Sequence, residues 1–171
     1  LGEDASEEPG FGDPSRTSIF DYIGIPAHQR WMNGGGFDGG QLSEEEKSLR
    51  AYYAKLLNFT RESSAMMGDY SQLFNVGENA QILGDKGFAF ARWDEEERIL
   101  VIANFDWEQS LSGTLIIPQE VIASWPPNEN KYLLEDQLGN AKASLEIKEG
   151  IGYVNFDLAK SESAIWKLKI D

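Results

Sequence analysis

The sequence predicts a mainly β protein: an antiparallel β-sandwich of the Greek-key type, preceded by a loop-rich segment and one amphipathic helix. Two observations lead to this prediction. After Gly68, apolar and polar residues alternate in short runs, which is typical of half-buried strands. Before Gly68, one stretch repeats its apolar residues with helical spacing instead. The change of period divides the chain into residues 1–68 and residues 69–171.

The helix is predicted over residues 43–58. Ser43 and Glu46 have the spacing of a capping box, in which each side chain accepts a hydrogen bond from the other residue's backbone N–H. The apolar stripe that follows comprises Leu49, Tyr52, Tyr53, Leu56 and Leu57. Such a stripe must be buried against another surface, because a lone helix of this length is marginal in water. Residues 1–41 predict loop, with a short helix over residues 28–32.

The predicted strands are residues 88–93, 98–105, 114–117, 131–135, 143–147, 154–158 and 164–170. Residues 94–97 and 149–150 predict turns between neighbouring strands. Seven or so short strands in about 100 residues indicate a β-sandwich. Residues 99–103 are apolar on both faces, so both faces should be covered. The cover on the second face is expected to be the predicted helix or a larger body.

Composition excludes several functions. The net charge of −14 argues against nucleic acid or an anionic membrane as partner. No apolar run reaches the roughly 20 residues of a membrane span. The absence of cysteine excludes disulfides and thiolate metal sites. The start of the chain shows no signal-peptide pattern. Because the chain begins with Leu1 and not Met, we expect it to be cut out of a longer one.

Several segments resemble the C-terminal region of the α-amylase family (glycoside hydrolase family 13). Residues 1–4 resemble the end of the loop after the last strand of that family's barrel, and residues 13–22 resemble the stretch that follows. Residues 37–43, with the predicted helix, are similar to the final helix of the barrel. Residues 68–74 resemble the first turn of the C-terminal domain, and residues 88–92 with 101–105 its opening hairpin.

The resemblance implies a parent enzyme, a retaining α-glycosidase, whose (β/α)₈ barrel carries three catalytic carboxylates. The segments that hold them are missing here, so no catalytic residue is carried over. Calcium sites are expected in the parent, and no cofactor or metal is expected in this chain. The resemblance also favours a parent located in the periplasm, at the cell surface or outside the cell.

Other candidate sites have weak sequence support. Glu3, Asp4, Glu7 and Glu8 form an acidic loop, which is more typical of a solvated charge run than of an acid/base pair. Residues 33–36 and 39–40 are glycine-rich, but they lack the Gly-Lys-Ser/Thr ending of a P-loop and do not follow a strand.

The one histidine and the five tryptophans are the remaining candidates for a site. His28 is the only histidine, so a His-based metal cluster is excluded; a Ser-His-Asp set with Asp21 stays open, without a nucleophile elbow. Among the tryptophans, Trp125 is expected to be the most exposed and Trp107 the second. Both are candidates for stacking on a sugar ring.

Two functions are therefore expected. In the first, the chain is a non-catalytic stabilising domain of an α-glucan-acting glycoside hydrolase, and its partner is the missing catalytic barrel. In the second, it is a carbohydrate-binding module that contacts starch-like α-glucans through loop aromatics. An independent enzyme is disfavoured, because no catalytic constellation can be assembled. Isolated, the chain is expected to self-associate through Leu49, Tyr53 and Leu56, which truncation leaves uncovered.

Overall fold

The structure is a computed structural model that describes residues 26–125, 129–139 and 142–169. The chain divides into two compact units, with the boundary between Ala54 and Lys55. Each unit is described by itself. The domain boundary predicted at residues 68–69 from composition stays a prediction. Residues 1–25, which include the acidic loop and Asp21, lie outside the described residues.

The described part of the first unit contains one helix and the first part of a second. Helix α1 spans Pro26–Met32 and continues into a single 3₁₀ turn, Asn33–Gly35, which confirms the predicted short helix. The rings of Trp31 and Phe37 lie 5.8 Å apart in an edge-on arrangement. The glycine-rich stretch follows a helix and not a strand, so its geometry is that of a connecting loop.

Helix α2 spans Glu44–Glu62, and its predicted capping box is confirmed. The Ser43 N–H donates to Glu46 Oε2 at 2.8 Å, and the Glu46 N–H donates to Ser43 Oγ at 3.2 Å. Arg30 also donates from Nε to Glu46 Oε1 at 3.1 Å. Hydrogen bonds from Arg30 and from the Ser43 backbone lower the pKa of Glu46 to about 2. The start of the helix is therefore fixed by charge as well as by capping.

The predicted end of this helix was wrong by four residues. The prediction stopped at Asn58, whereas α2 runs on to Glu62. Asparagine is only slightly unfavourable inside a helix, so one such residue does not end it. The last turn is supported by Arg61, whose positive charge is favourable near a helix C-terminus. The Ser63 N–H donates to the Phe59 carbonyl and completes that turn.

The described part of the second unit, from Lys55, contains the last part of α2, eight strands and two short helices. The strands are β1 Asp69–Gln72, β2 Gly87–Trp93, β3 Arg98–Asn104, β4 Leu111–Ile117, β5 Lys131–Asp136, β6 Lys142–Lys148, β7 Ile151–Leu158 and β8 Ser163–Leu168. Helix α3 (Asn79–Leu83) precedes β2, and helix α4 (Gln119–Ser124) follows β4. The sequence prediction missed β1, α3 and α4, each of which is too short to show a period of its own.

The strands form one antiparallel sheet in the order β1-β2-β3-β8-β5-β6-β7-β4. Strands β5, β6 and β7 are joined by hairpin connections, and β8 returns to lie beside β5, which is the Greek-key arrangement. The residue pair Glu149 and Gly150 has positive φ values of 53° and 79° and makes the tight turn between β6 and β7. The predicted antiparallel Greek-key fold class is confirmed.

The core lies inside the curl of this sheet. Buried side chains of β2 and β3, such as Ala91 and Ile102, belong to the same cluster as Leu115 of β4 and Val154 of β7. The sheet must therefore curl, since strands near its two ends contribute to one core. The other faces of the strands point outward, and their residues decide what the domain can bind. None of the helices in the described part of the chain has the length and apolar character needed to cross a bilayer.

Candidate docking surface

Five aromatic rings lie in contact across the outer face of β1 and β2, together with the residues that flank them. Tyr70 and Phe90 have ring centroids 5.7 Å apart, and Phe90 and Phe88 5.8 Å apart. Phe88 also meets Phe74 at 4.3 Å and Phe105 at 6.2 Å. We call this set the aromatic ladder. Tyr70 is 49% exposed and Phe105 69% exposed, so the two ends of the ladder are open.

The ladder follows from the strand period. Phe88, Phe90 and Arg92 alternate with Gly87, Ala89 and Ala91, so the small residues face the core and the large ones face outward. The register places Tyr70 opposite Arg92, and the Arg92 guanidinium lies 5.5 Å from the centre of the Tyr70 ring. This cation–π contact holds the outermost ring of the ladder in place.

Beside the ladder lies the outer face of β3, which the sequence predicts to be covered like its inner face. This outer cover is present over only part of the strand. Ile99 is fully buried although it lies on the outer face. Its cross-strand neighbours are Arg92 and Lys167. Arg92 Nη1 donates to the Met66 carbonyl at 2.6 Å. The cover at Ile99 therefore comes from the residues after α2 and from long flanking side chains. Further along β3, Val101 stays half-buried on this face.

A partly buried ion pair lies beside that cover. Lys167 Nζ donates to Glu97 Oε1, and Ser63 Oγ donates to Glu97 Oε2 at 2.5 Å. Burial raises the pKa of Glu97, but the hydrogen bonds from Lys167 and Ser63 outweigh it, so the pKa lies below its ordinary value. Glu97 is therefore ionised at neutral pH and ties the end of α2 to β3 and β8.

The apolar stripe of α2 is the second uncovered surface. Leu49 is 53% exposed, Tyr53 is 54% exposed and Leu57 is 64% exposed, while Leu56 is half-buried. No residue of this helix is buried. A stripe of this spacing normally faces a core, so its exposure here leaves a large apolar surface in need of a partner.

The expected exposure of Trp125 was wrong. Trp125 is only 3% exposed, and its ring packs edge-on against Trp93 with centroids 6.2 Å apart. Helix α4 precedes Trp125, and its residues Val121 and Ile122 are buried in the core. Trp125 is buried in the same core. A buried ring has no face to offer a sugar. Trp107, by contrast, is 74% exposed, as expected.

The described residues hold no group of three or more His, Cys, Asp or Glu side chains placed to bind a metal ion. Asp38 and Asp94 illustrate what the acidic residues do instead. Asp38 Oδ1 accepts hydrogen bonds from Asn33 Nδ2 and the Gly40 N–H, and Asp94 Oδ1 accepts the N–H groups of Glu96 and Glu97. These carboxylates shape turns.

The sequence analysis did not predict the aromatic ladder. The available signal was the alternation of Phe and Ala in β2.

No family model and no curated protein matches the chain. Solved structures do. The α-amylase from Geobacillus thermoleovorans in complex with acarbose aligns with a TM-score of 0.52 and 16% identity, over 76% of this chain and 24% of its own. An Anoxybacillus α-amylase, described as a new glycosyl hydrolase subclass, aligns with a TM-score of 0.49 and 18% identity, over 73% and 23%. An AmyP variant in complex with maltotriose gives 0.49 and 14%, over 78% and 23%.

The fold of this chain is similar to that of part of the Geobacillus thermoleovorans α-amylase, and at 16% identity the likeness concerns the fold. The resemblance of the sequence to the C-terminal region of that family is thus confirmed at the level of the fold. This chain spans about a quarter of the length of the α-amylase structures that it matches.

Proposed function

We propose that this chain is the non-catalytic C-terminal part of an α-glucan-acting glycoside hydrolase, and that it stabilises the catalytic barrel by packing against it. The observation that carries the proposal is the aromatic ladder, which is preformed, apolar and open at both ends. The fold supports the choice of partner, since the alignment with the Geobacillus thermoleovorans α-amylase covers only 24% of that enzyme's chain.

The exposed stripe of α2 supports the same partner. Its resemblance to the final helix of the family's barrel implies that Leu49 and Tyr53 pack against neighbouring barrel helices. Burying a large apolar side chain contributes about 1.5–3 kcal/mol, so the stripe alone offers several kcal/mol of docking free energy.

The test compares the isolated chain with a polypeptide that carries both this chain and its catalytic barrel. Tyr70→Ser combined with Phe105→Ser removes the exposed ends of the ladder. We expect the pair to lower the melting temperature of the larger polypeptide by several degrees and to leave that of the isolated chain almost unchanged. Val76→Ser, an exposed apolar residue in the turn before α3, is the matched control. Equal effects on both polypeptides would contradict docking, as would hydrolysis of an α-glucan by the isolated chain.

The stripe also predicts self-association of the isolated chain through Leu49, Tyr53 and Leu56. Light scattering at increasing concentration should show a rise in average mass, because no barrel covers the stripe. The double variant Leu49→Lys, Tyr53→Lys should remain monomeric. Arg50→Gln, on the same helix, is the control and should associate as the parent chain does. A chain that stays monomeric at every concentration would contradict this prediction.

A second candidate function is that of a carbohydrate-binding module. The exposure of Trp107 favours it, because a surface indole can stack on the apolar face of a pyranose. Calorimetric titration with maltoheptaose tests it directly. Binding heat that disappears in Trp107→Ala would support this function, and heat that persists in that variant would remove Trp107 from it.

A further inference from the structure

The chain carries three methionines and no cysteine, so its only sulfur atoms are thioethers. These methionines differ widely in exposure. Met67, in the turn between α2 and β1, is 92% exposed, the largest value among the large apolar side chains that the structure describes. Met32, at the end of α1, is 43% exposed, and Met66 is half-buried. Exposure therefore singles out one of the three sulfur atoms.

The backbone around Met67 is held without help from the Met67 side chain. Residues Ser64–Met67 form a 3₁₀ turn, in which Ala65 is fully buried. The Gly68 N–H donates to the Ala65 carbonyl at 3.1 Å, and Arg92 Nη1 donates to the Met66 carbonyl at 2.6 Å. These hydrogen bonds are accepted by main-chain oxygens before residue 67, so a chemical change at its sulfur leaves them in place.

The cost of making a methionine polar depends on what surrounds it. A sulfoxide is polar, and in a packed environment it disrupts the contacts that the thioether made. The Met67 side chain is almost entirely in water, so it has little buried apolar surface to lose. Met66 is half-buried beside it, so the same oxidation there places a polar group among packed atoms.

Access also decides which sulfur reacts first, because the oxidant must reach the sulfur lone pair. Hydrogen peroxide is uncharged, so the net charge of −14 does not repel it. In the reaction one peroxide oxygen bonds to Sδ, the O–O bond breaks, and the remaining oxygen leaves as water. The sulfur is oxidised and the peroxide is reduced.

We propose that Met67 is a reversible oxidation site, which takes up oxygen from peroxide before the other methionines and without cost to the fold. Its sulfoxide is accessible to a methionine sulfoxide reductase for the same reason that its thioether is accessible to peroxide. Oxidation and reduction at this residue then change one projecting side chain from apolar to polar and back. The proposal does not depend on the docking of a catalytic barrel.

The first experiment measures the three oxidation rates in one sample. The chain is treated with excess hydrogen peroxide, the reaction is stopped at intervals, and the oxidised fraction of each methionine is read by peptide mass mapping. We expect Met67 to react about tenfold faster than Met66 and also ahead of Met32, with free methionine as the reference for full access. A Met67 rate no higher than that of Met66 would overturn the proposal.

The second experiment measures the cost of each oxidation. The variant Met32→Leu, Met66→Leu leaves residue 67 as its only methionine, and its melting temperature should be almost unchanged after complete oxidation. The variant Met32→Leu, Met67→Leu is the matched control, in which oxidation of Met66 should lower the melting temperature clearly. A fall in the first variant as large as that in the control would contradict oxidation without cost to the fold.

Reversal is tested on the oxidised first variant. A mixture of reductases for both sulfoxide epimers, supplied with a thiol reductant, should restore the thioether in the folded chain. Restoration is read from the loss of the added oxygen mass. A sulfoxide that is reduced only after the chain is unfolded would overturn the reversible character of the site.

Discussion

The side-chain amide of Asn79 pairs with both backbone groups of Ile116. Asn79 Nδ2 donates to the Ile116 carbonyl at 2.7 Å, and the Ile116 N–H donates to Asn79 Oδ1 at 2.9 Å. Strand β4 ends the sheet, so this amide takes the place of a neighbouring strand at an otherwise open edge. Open edges invite pairing with other chains, and a buried side chain that occupies one protects against this.

We expect Asn79→Ala to lower the free energy of unfolding by about 2 kcal/mol, because it leaves the partly buried N–H and carbonyl of Ile116 without their side-chain partner. Urea unfolding followed by circular dichroism measures the change. Asn79→Asp is the informative comparison: it keeps the acceptor for the Ile116 N–H but loses the donor, and should also place a charge against the carbonyl. A stability equal to that of the parent chain in both variants would show that water replaces the amide.

Features that depend on neighbouring residues in the sequence could be predicted. Features that depend on contacts between segments far apart in the sequence could not. The capping box of Ser43 and Glu46 and the turn at residues 149–150 depend on neighbours within a few residues, so the sequence alone indicates them. The burial of Trp125 depends instead on the position of α4. That position is set by packing against strands distant in sequence. Its spacing from Val121, four residues earlier, was the available helical signal.

The candidate surfaces show the same division. Residues 99–103 indicated correctly that β3 is covered on a second face, at least at Ile99. The same residues did not indicate which part of the chain covers β3. The hydrogen bond from Arg92 to the Met66 carbonyl joins segments 26 residues apart, and no local pattern predicts such a contact.

Trp125 and Trp107 should differ sharply in what their mutation costs, because the first is buried and the second exposed. Trp125→Ala is expected to lower the free energy of unfolding by about 3–5 kcal/mol, the usual cost of removing a large buried ring. Trp107→Ala should change it by less than about 0.5 kcal/mol, since the ring is exposed. Chemical denaturation of both variants under one set of conditions checks the pair. Similar costs for the two would contradict the assigned burial.

Gly68 is required by a close approach of backbones and not by its φ angle. A Cβ placed there would lie 2.0 Å from the Trp93 carbonyl oxygen, far inside van der Waals contact. Gly68→Ala must therefore push β1 away from β2, and we expect it to cost at least about 2 kcal/mol in the free energy of unfolding. The control is Gly36→Ala, whose nearest neighbour would be at 3.5 Å. Thermal unfolding that is unchanged by Gly68→Ala would be the contrary result.

The ion pair of Glu97 predicts a pH dependence with a definite sign. Because the pKa of Glu97 is lower in the folded chain than its ordinary value of 4.5, the carboxylate stabilises the fold at pH above that value. The stabilisation is lost as the pH falls below about 4.5 and the group takes up a proton. Glu97→Ala should therefore cost about 2 kcal/mol at pH 7, mainly through lost charge-assisted hydrogen bonds to Lys167 and Ser63.

The measurement is the difference in unfolding free energy between the parent chain and Glu97→Ala, taken at several pH values. That difference should shrink steadily between pH 5 and pH 3, since the parent chain alone loses the interaction there. Glu96→Ala, an exposed neighbour in the same turn, should show no such trend. A difference that stays constant across this range would mean that the Glu97 side chain stabilises the cover over Ile99 by packing, with no contribution from its charge.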